Sequence, residues 1–260
     1  MPHFAANLSM LWPELDVYDR FSAAAEAGFS RVEILFVHAL DHDRVADLLQ
    51  SHGLELVLFD PYPGNWDAGE RGLLSLPGRE DEFLQSIRDA LVAARRFGTV
   101  RLNAIAGVLP PDVIRAAAET TAIENLRRAA PLAEAAGVRI LVENINTVDM
   151  PGYFADTAER AADLVRAVDR PNVRLQLDQY HVGMMGGDAR AAFKEHRALI
   201  EHVQIADVPG RHEPGTGQQP IREFLRDLDD LGYTGAVGLE YRPSTTTDAA
   251  LAWLARAHRN

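Results

Sequence analysis

The 260-residue chain contains no cysteine. Disulfides, thiolate metal ligands and a cysteine nucleophile are therefore excluded. Lysine is almost as scarce: among 26 basic residues the only lysine is Lys194, in the polar stretch AAFKEHRALI. Schiff-base chemistry would have to use that residue, which falls on an expected surface helix, so an iminium mechanism is disfavoured. No apolar run approaches the length that spans a bilayer, and the opening MPHFAANLSMLWPELD lacks the basic-then-apolar pattern of a signal peptide. These absences lead us to expect a cytoplasmic protein with no membrane partner. The net charge of −12 argues against a partner gripped through many phosphates, so no nucleic acid is expected either.

What is present is a globular composition, 47% hydrophobic and 25% charged, able to bury a core. Short apolar strands are expected at 3–7, 31–36, 55–60, 100–106, 138–143, 173–178, 202–207 and 236–241. Helical periodicity fills the intervals, at 14–28, 41–53, 80–98, 112–137, 157–169, 189–200, 221–232 and 246–258. Gly28, Gly53, Gly98, Gly137 and Gly232 stand where helices should end. Eight strand–helix units, about 32 residues each, predict a single-domain (β/α)8 TIM barrel over 1–260. The main structural rival, a doubly wound open sheet with a phosphate loop, is disfavoured because ANLSMLWPE after the first strand has no glycine. The longest non-periodic stretch, 61–78, follows the third strand and is expected over the C-terminal face, where barrel active sites are built.

Four polar residues recur at strand ends: Glu143 in VRILVE, Asp178 in VRLQLD, Gln204 in HVQIAD and Glu240 in AVGLEY. Strand alternation puts Gln176 in phase with Asp178 and Gly238 in phase with Glu240, so all four can point inward at the same mouth. A lone glutamate at a strand end is more often paired with an arginine or exposed at a rim. Four in consecutive units are harder to explain that way. Three unpaired carboxylates together would repel one another, and a divalent cation relieves that repulsion. The donors are all oxygen, a hard set suited to Mg2+ or Mn2+. Spacing alone leads to an acidic metal site in a barrel, with its chemistry open.

Further motifs accompany these residues: ANLSMLW (6–12), WDAGERG (66–72), PGRE (77–80), ENIN and DMPG within 143–152, LQLDQYH (175–181), HVQIADVPGRHEPGTG (202–217) and GLEYRPSTTT (238–247). Together they resemble the hydroxypyruvate isomerase family of the xylose isomerase-like barrels, which includes 2-oxo-tetronate isomerases, over nearly the whole chain. The resemblance implies a divalent metal held by Glu143, Asp178, Gln204 and Glu240, with Glu143 and Glu240 as the acid–base pair. It implies an isomerase that moves a carbonyl along a small 2-oxo or hydroxy acid through an enediolate, hydroxypyruvate to tartronate semialdehyde being the first expectation. His181 matches a family histidine expected to touch a substrate oxygen. Arg211 is the best cation for a substrate carboxylate or hydroxyl, with Arg71 and Arg79 next, although both of these could instead pair with Glu70 or Glu80. Glu33, Asn7 and Asn103 read as barrel polar network or pocket wall. The family also allows for a homo-oligomer.

The sequence departs from the family pattern in substrate-facing loops. LFVHAL (35–40) replaces an FPY-like segment, FDPYPGN (59–65) replaces a histidine–asparagine pair, and Gln218 replaces an acid. A 2-oxo-tetronate or a ketose therefore stands beside hydroxypyruvate as substrate. The rival readings are a ketose 3-epimerase using the same glutamates, an apurinic-site endonuclease, and a non-catalytic sugar-acid binder. Gln204, where the epimerases usually carry histidine, favours isomerisation. The endonuclease needs more histidines around the metal than the expected strand ends supply.

Overall fold

RILVE is apolar on both faces between its first and last residues, and VRLQLD keeps Val173, Leu175 and Leu177 on one face with Arg174, Gln176 and Asp178 on the other. Both suit parallel strands covered by helices outside and packed side chains inside. In the computed structural model, which describes residues 2–259, eight such strands form a closed parallel barrel in chain order. They are β1 (His3–Asn7), β2 (Arg31–Phe36), β3 (Glu55–Asp60), β4 (Arg101–Asn103), β5 (Arg139–Glu143), β6 (Val173–Asp178), β7 (Ile200–Ile205) and β8 (Ala236–Leu239). The ring closes where β1 pairs with β8, from His3 against Ala236 to Ala6 against Leu239. The chain is thus a (β/α)8 barrel.

The helices around it are α1 (Asp19–Glu26), α2 (His42–His52), α3 (Glu80–Phe97), α4 (Arg115–Ala135), α5 (Ala158–Val168), α6 (Gln179–Met184), α7 (Ala189–His196), α8 (Ile221–Asp230) and α9 (Thr247–Ala250). All five glycines expected at helix ends adopt the left-handed conformation. None of the helices among the described residues is long and apolar enough to cross a membrane.

Two expectations need correction. The fourth strand stops at Asn103, because Ala106 leaves the ladder to bridge Gly72 and to donate its N–H to the Tyr153 hydroxyl at 2.8 Å. The helix expected over 246–258 forms only as α9 and a 3-10 turn at Arg256–His258. There Arg259 donates to the carbonyls of Leu251, Leu254 and Ala27, and Trp253 packs edge-on against Phe4; these tertiary contacts replace helical hydrogen bonds. Helix α6 is a single short helix that periodicity does not announce.

Outward-facing strand residues and the inner helix faces form the main core, including Phe4, Phe21, Phe59, Ile87, Leu126 and Phe224. Inside the barrel an apolar layer of Ala5, Val57, Leu58, Leu141 and Ala236 fills the lower part. A buried polar layer lies above it. Gly238 is needed there, since a Cβ would lie 2.3 Å from Glu33 Oε1. The small residue below Glu240 thus makes room for the carboxylate of Glu33.

Candidate active site

Five buried carboxyl groups enter the barrel: Glu33 from within β2, Asp60, Glu143 and Asp178 from the ends of β3, β5 and β6, and Glu240 from just past β8. Asp178 ends β6 and caps α6, its Oδ1 accepting from Tyr180 N at 2.8 Å. Asn144, one residue past β5, ties the two strand ends together: it donates to Asp178 O and accepts from Asp178 N. Glu143 Oε2 accepts from Asn103 Nδ2 at 2.7 Å, and Glu240 Oε1 accepts from Arg211 Nη2 at 2.6 Å. Each glutamate therefore has one oxygen held by a fixed donor.

The remaining oxygens are the chemically informative ones. Asp178 Oδ2 and Glu240 Oε2 are buried without any hydrogen-bond donor. Glu143 Oε1, Asp178 Oδ2 and His181 Nε2 converge on one point. Orphaned anionic oxygens deep in a protein are costly unless a cation meets them. Gln204 adjoins them: its Oε1 accepts from Gln176 Nε2 at 2.6 Å and its Nε2 donates to Glu33 Oε1 at 3.2 Å. That network fixes which end of the amide is oxygen, and a carbonyl oxygen keeps a second lone pair.

Electrostatics express the same crowding. Burial, then repulsion from Glu240, Asp178 and Asp60, pushes the Glu143 carboxyl well above its usual range. Burial raises Glu240 to about 8, with Arg211 opposing, and raises Asp178 to about 6, again against Arg211. Burial and the neighbouring Glu240 also hold Asp60 well above an ordinary aspartate. A divalent ion would reverse this, since it favours the ionised form of every one of these groups.

His181 has a defined protonation state. Asn146 Oδ1 accepts the N–H groups of Val148 and Asp149, so its Nδ2 must face His181 Nδ1, at 2.6 Å. Nδ1 is then an acceptor and the proton sits on Nε2. Burial, and then Arg211, keeps the ring well below its usual pKa, hence neutral. Nε2 lies 3.4 Å from Asp178 Oδ2 without making a hydrogen bond to it. A metal ligand would need the Nε2 lone pair, so this network makes His181 a hydrogen-bond donor beside the acidic cluster.

Arg211 enters from the loop between β7 and α8. Asp207 holds that loop, accepting from the N–H groups of Val208, Gly215 and Gln219. Gly217 fits against it so closely that a Cβ would lie 2.2 Å from Val208 O. The segment HEPGTG thus clips the loop, and Arg211 sits in it with a left-handed backbone (φ 56°), an arrangement that costs a non-glycine residue about 1–3 kcal/mol. Its guanidinium also approaches Asp178 Oδ2, at 3.5 Å, and stacks on Tyr180.

Arg71 and Arg79 are not brought to the carboxylates by any bond they make. Arg71 Nη1 donates to the carbonyls of Trp66 and Glu70, and its guanidinium lies over the Trp66 ring. Arg79 pairs with Glu70 at 2.7 Å and with Glu82. Both arginines brace the long loop after β3.

Sequence reasoning missed Asp60, hidden in FDPYPGN, although it ends β3 as Glu143 ends β5. It missed the role of Asn146 in orienting His181. It also missed the pair beneath the mouth, His202 Nε2 to Glu33 Oε2 at 2.9 Å, for which the signal was the alternation of His202 with Gln204.

The xylose isomerase-like TIM barrel family pattern matches residues 21–257. A 2-oxo-tetronate isomerase of Cupriavidus necator is 44% identical over 254 residues, 98% of each chain. A hydroxypyruvate isomerase of Escherichia coli (strain K12) is 37% identical, again over 98% of each. A crystal structure of a protein described as "AP endonuclease, family 2" from Brucella melitensis superposes with a TM-score of 0.95 at 44% identity, covering 97% of this chain and 98% of that one. At 22% identity, a 3-keto-D-glucoside 4-epimerase from E. coli shares the fold, with a TM-score of 0.82 over 98% of this chain and 99% of its own. The chain belongs to the xylose isomerase-like TIM barrel family, in the branch that holds the hydroxypyruvate and 2-oxo-tetronate isomerases.

Proposed function

We propose that this isomerase acts on a 2-oxo-3-hydroxy carboxylate and moves the carbonyl from C2 to C3. Hydroxypyruvate, giving tartronate semialdehyde, and a 2-oxo-tetronate are the three- and four-carbon members of that class. The observation that carries the reading is the pairing of Glu143 and Glu240 in one buried mouth, each with one oxygen held by Asn103 or Arg211. The names of the relatives at 37–44% identity support the substrate class.

Glu143 and Asp178, whose free oxygens converge, fit a hard divalent cation, Mg2+ or Mn2+, with Glu240 and Gln204 at the same mouth but outside that close cluster; Asp178 Oδ2 and Glu240 Oε2 are buried without donors. Such a cation supplies polarisation of the substrate carbonyl and offsets the charge of the enediolate. The rest falls to the chain itself. One glutamate takes the proton from C3 and the other returns a proton to C2, while the hydroxyl proton moves from O3 to O2. Arg211, with a side chain 16% exposed at the mouth, meets the substrate carboxylate or hydroxyl with the N–H groups that Glu240 leaves unused. His181 donates Nε2–H to a substrate oxygen. Burial keeps water from the carbanionic intermediate.

A ketose 3-epimerase would use the same glutamates. Gln204, committed to Gln176 and Glu33, favours isomerisation, because nothing at that position supplies an imidazole. The name of the Brucella relative raises phosphodiester cleavage, but of the histidines among the described residues only His181 reaches the candidate metal ligands, a poor basis for a multinuclear centre.

The test is conversion followed by proton NMR, with protein stripped by EDTA and then resupplied with Mg2+ or Mn2+. Hydroxypyruvate or a 2-oxo-tetronate should be isomerised by the resupplied protein and not by the stripped one. Full activity after exhaustive chelation would reject the metal role, and inversion of a ketose carbon with no action on the acids would move the protein to the epimerases.

A further inference from the structure

Asn103 ends β4 with its side chain buried inside the barrel. Phe59 pairs with Leu102 on one side and Asn103 with Leu141 on the other, so Asn103 stands between Asp60 of β3 and Glu143 of β5. Its Nδ2 donates to Glu143 Oε2 at 2.7 Å, and the Asp60 carboxyl lies on the other side of the same amide. Asn103 is also the only donor that hydrogen-bonds the Glu143 side chain among the described residues, since His181 Nε2 stays 4.0 Å away.

We propose that Asn103 is a positioning residue for Glu143: by holding Oε2 it turns Oε1 toward Asp178 Oδ2 and the cation position. This deepens the proposed function and rests on it. A glutamate surrounded by Asp60, Asp178 and Glu240 is repelled from all three and, without a donor, would swing its carboxylate out of the cluster. One amide, itself fixed between strands, prevents that swing and dictates which oxygen is available to a ligand.

The experiment compares Asn103→Leu, which keeps the shape and removes the donor, with Asn103→His, whose Nδ1–H can stand where the amide N–H stands. Calorimetry of Mn2+ binding to apoprotein is read beside kcat, KM and Tm. Asn103→Leu should weaken Mn2+ binding and lower kcat by about 10- to 100-fold each, with KM moved far less, as for loss of an orienting contact around a metal ligand. Asn103→His should recover most of both losses. Mn2+ affinity and kcat unchanged in a folded Asn103→Leu variant would overturn the proposal, as would equal losses in the leucine and histidine variants. Should Asn103→Leu fail to fold, Asn103→Ser, too short to reach Glu143, carries the same expectation and the same refutation. Mn2+ affinity needs no turnover, so it decides the positioning role even if none of the 2-oxo acids proves to be a substrate.

Discussion

Arg211 and Glu240 meet at 2.6 Å, and the arginine makes that contact from a left-handed backbone held by the Asp207-clipped loop. The pair fixes one glutamate oxygen while placing a cation at the rim of the mouth. Replacing Arg211 with methionine should lower kcat/KM for a 2-oxo acid by at least about 100-fold, as expected for removing a charge-assisted contact of a few kcal/mol. Arg211→Lys should remain severely impaired, because an ammonium cannot reproduce the fork that spans Glu240 and substrate. Steady-state kinetics on both variants provide the check, and a lysine variant near wild type would count against the pairing.

His181 offers a sharp distinction between donor and ligand. If its Nε2 carries the proton that Asn146 dictates, His181→Phe should leave Mn2+ affinity within about threefold while kcat/KM falls about 10- to 100-fold. Calorimetry and kinetics on the same preparation separate the two effects. A collapse of Mn2+ binding would make the imidazole a ligand.

The raised carboxyls make the metal-free protein sensitive to alkali. Glu240 at about 8 and Asp178 at about 6 lie above the ordinary values of 4.5 and 3.8. A carboxyl raised on folding stabilises the protein below its unfolded pKa, and that contribution is lost as pH rises through the folded pKa. The Tm of EDTA-treated protein should therefore fall from about pH 4 to 8, most steeply from about 4.5 to 6 where both groups contribute, and saturating Mn2+ should flatten the fall. Thermal scans across that range check it; a metal-free Tm that climbs with pH would contradict the crowding.

Gly238→Ala should be destabilising, because its Cβ would lie 2.3 Å from Glu33 Oε1 inside a packed barrel. A loss of about 1–3 kcal/mol in denaturant unfolding is expected from such overpacking. Activity should fall as well, since Glu33 supports Gln204. A variant as stable and active as the parent would show that the polar layer is looser than these distances imply.

Much of this was legible in the chain because parallel strands buried on both faces announce themselves as apolar runs, and a carboxylate at the end of such a run stands out. Glu143, Asp178 and Glu240 were visible for that reason. Asp60 was not, because the prolines and glycine that follow it read as loop. Helix α6 is too short for periodicity to register, yet it carries His181 to Asp178 by starting on that residue's cap. The helix expected at 246–258 failed for the opposite reason: its local pattern was good, but Arg259 and Trp253 found better partners elsewhere. Arg71 and Arg79 were drawn to attention by their loop, and what they grip is the loop itself.

The central claim is that one of Glu143 and Glu240 removes a proton from one substrate carbon while the other delivers a solvent-derived proton to its neighbour. Proton NMR of the conversion in D2O, run on the metal-loaded protein and on Glu240→Gln, tests it most directly. Solvent deuterium should enter the product at the carbon that regains hydrogen, and Glu240→Gln should lose turnover while keeping its Tm. Product formed without deuterium, or a glutamine variant turning over at a near-normal rate, would contradict the account.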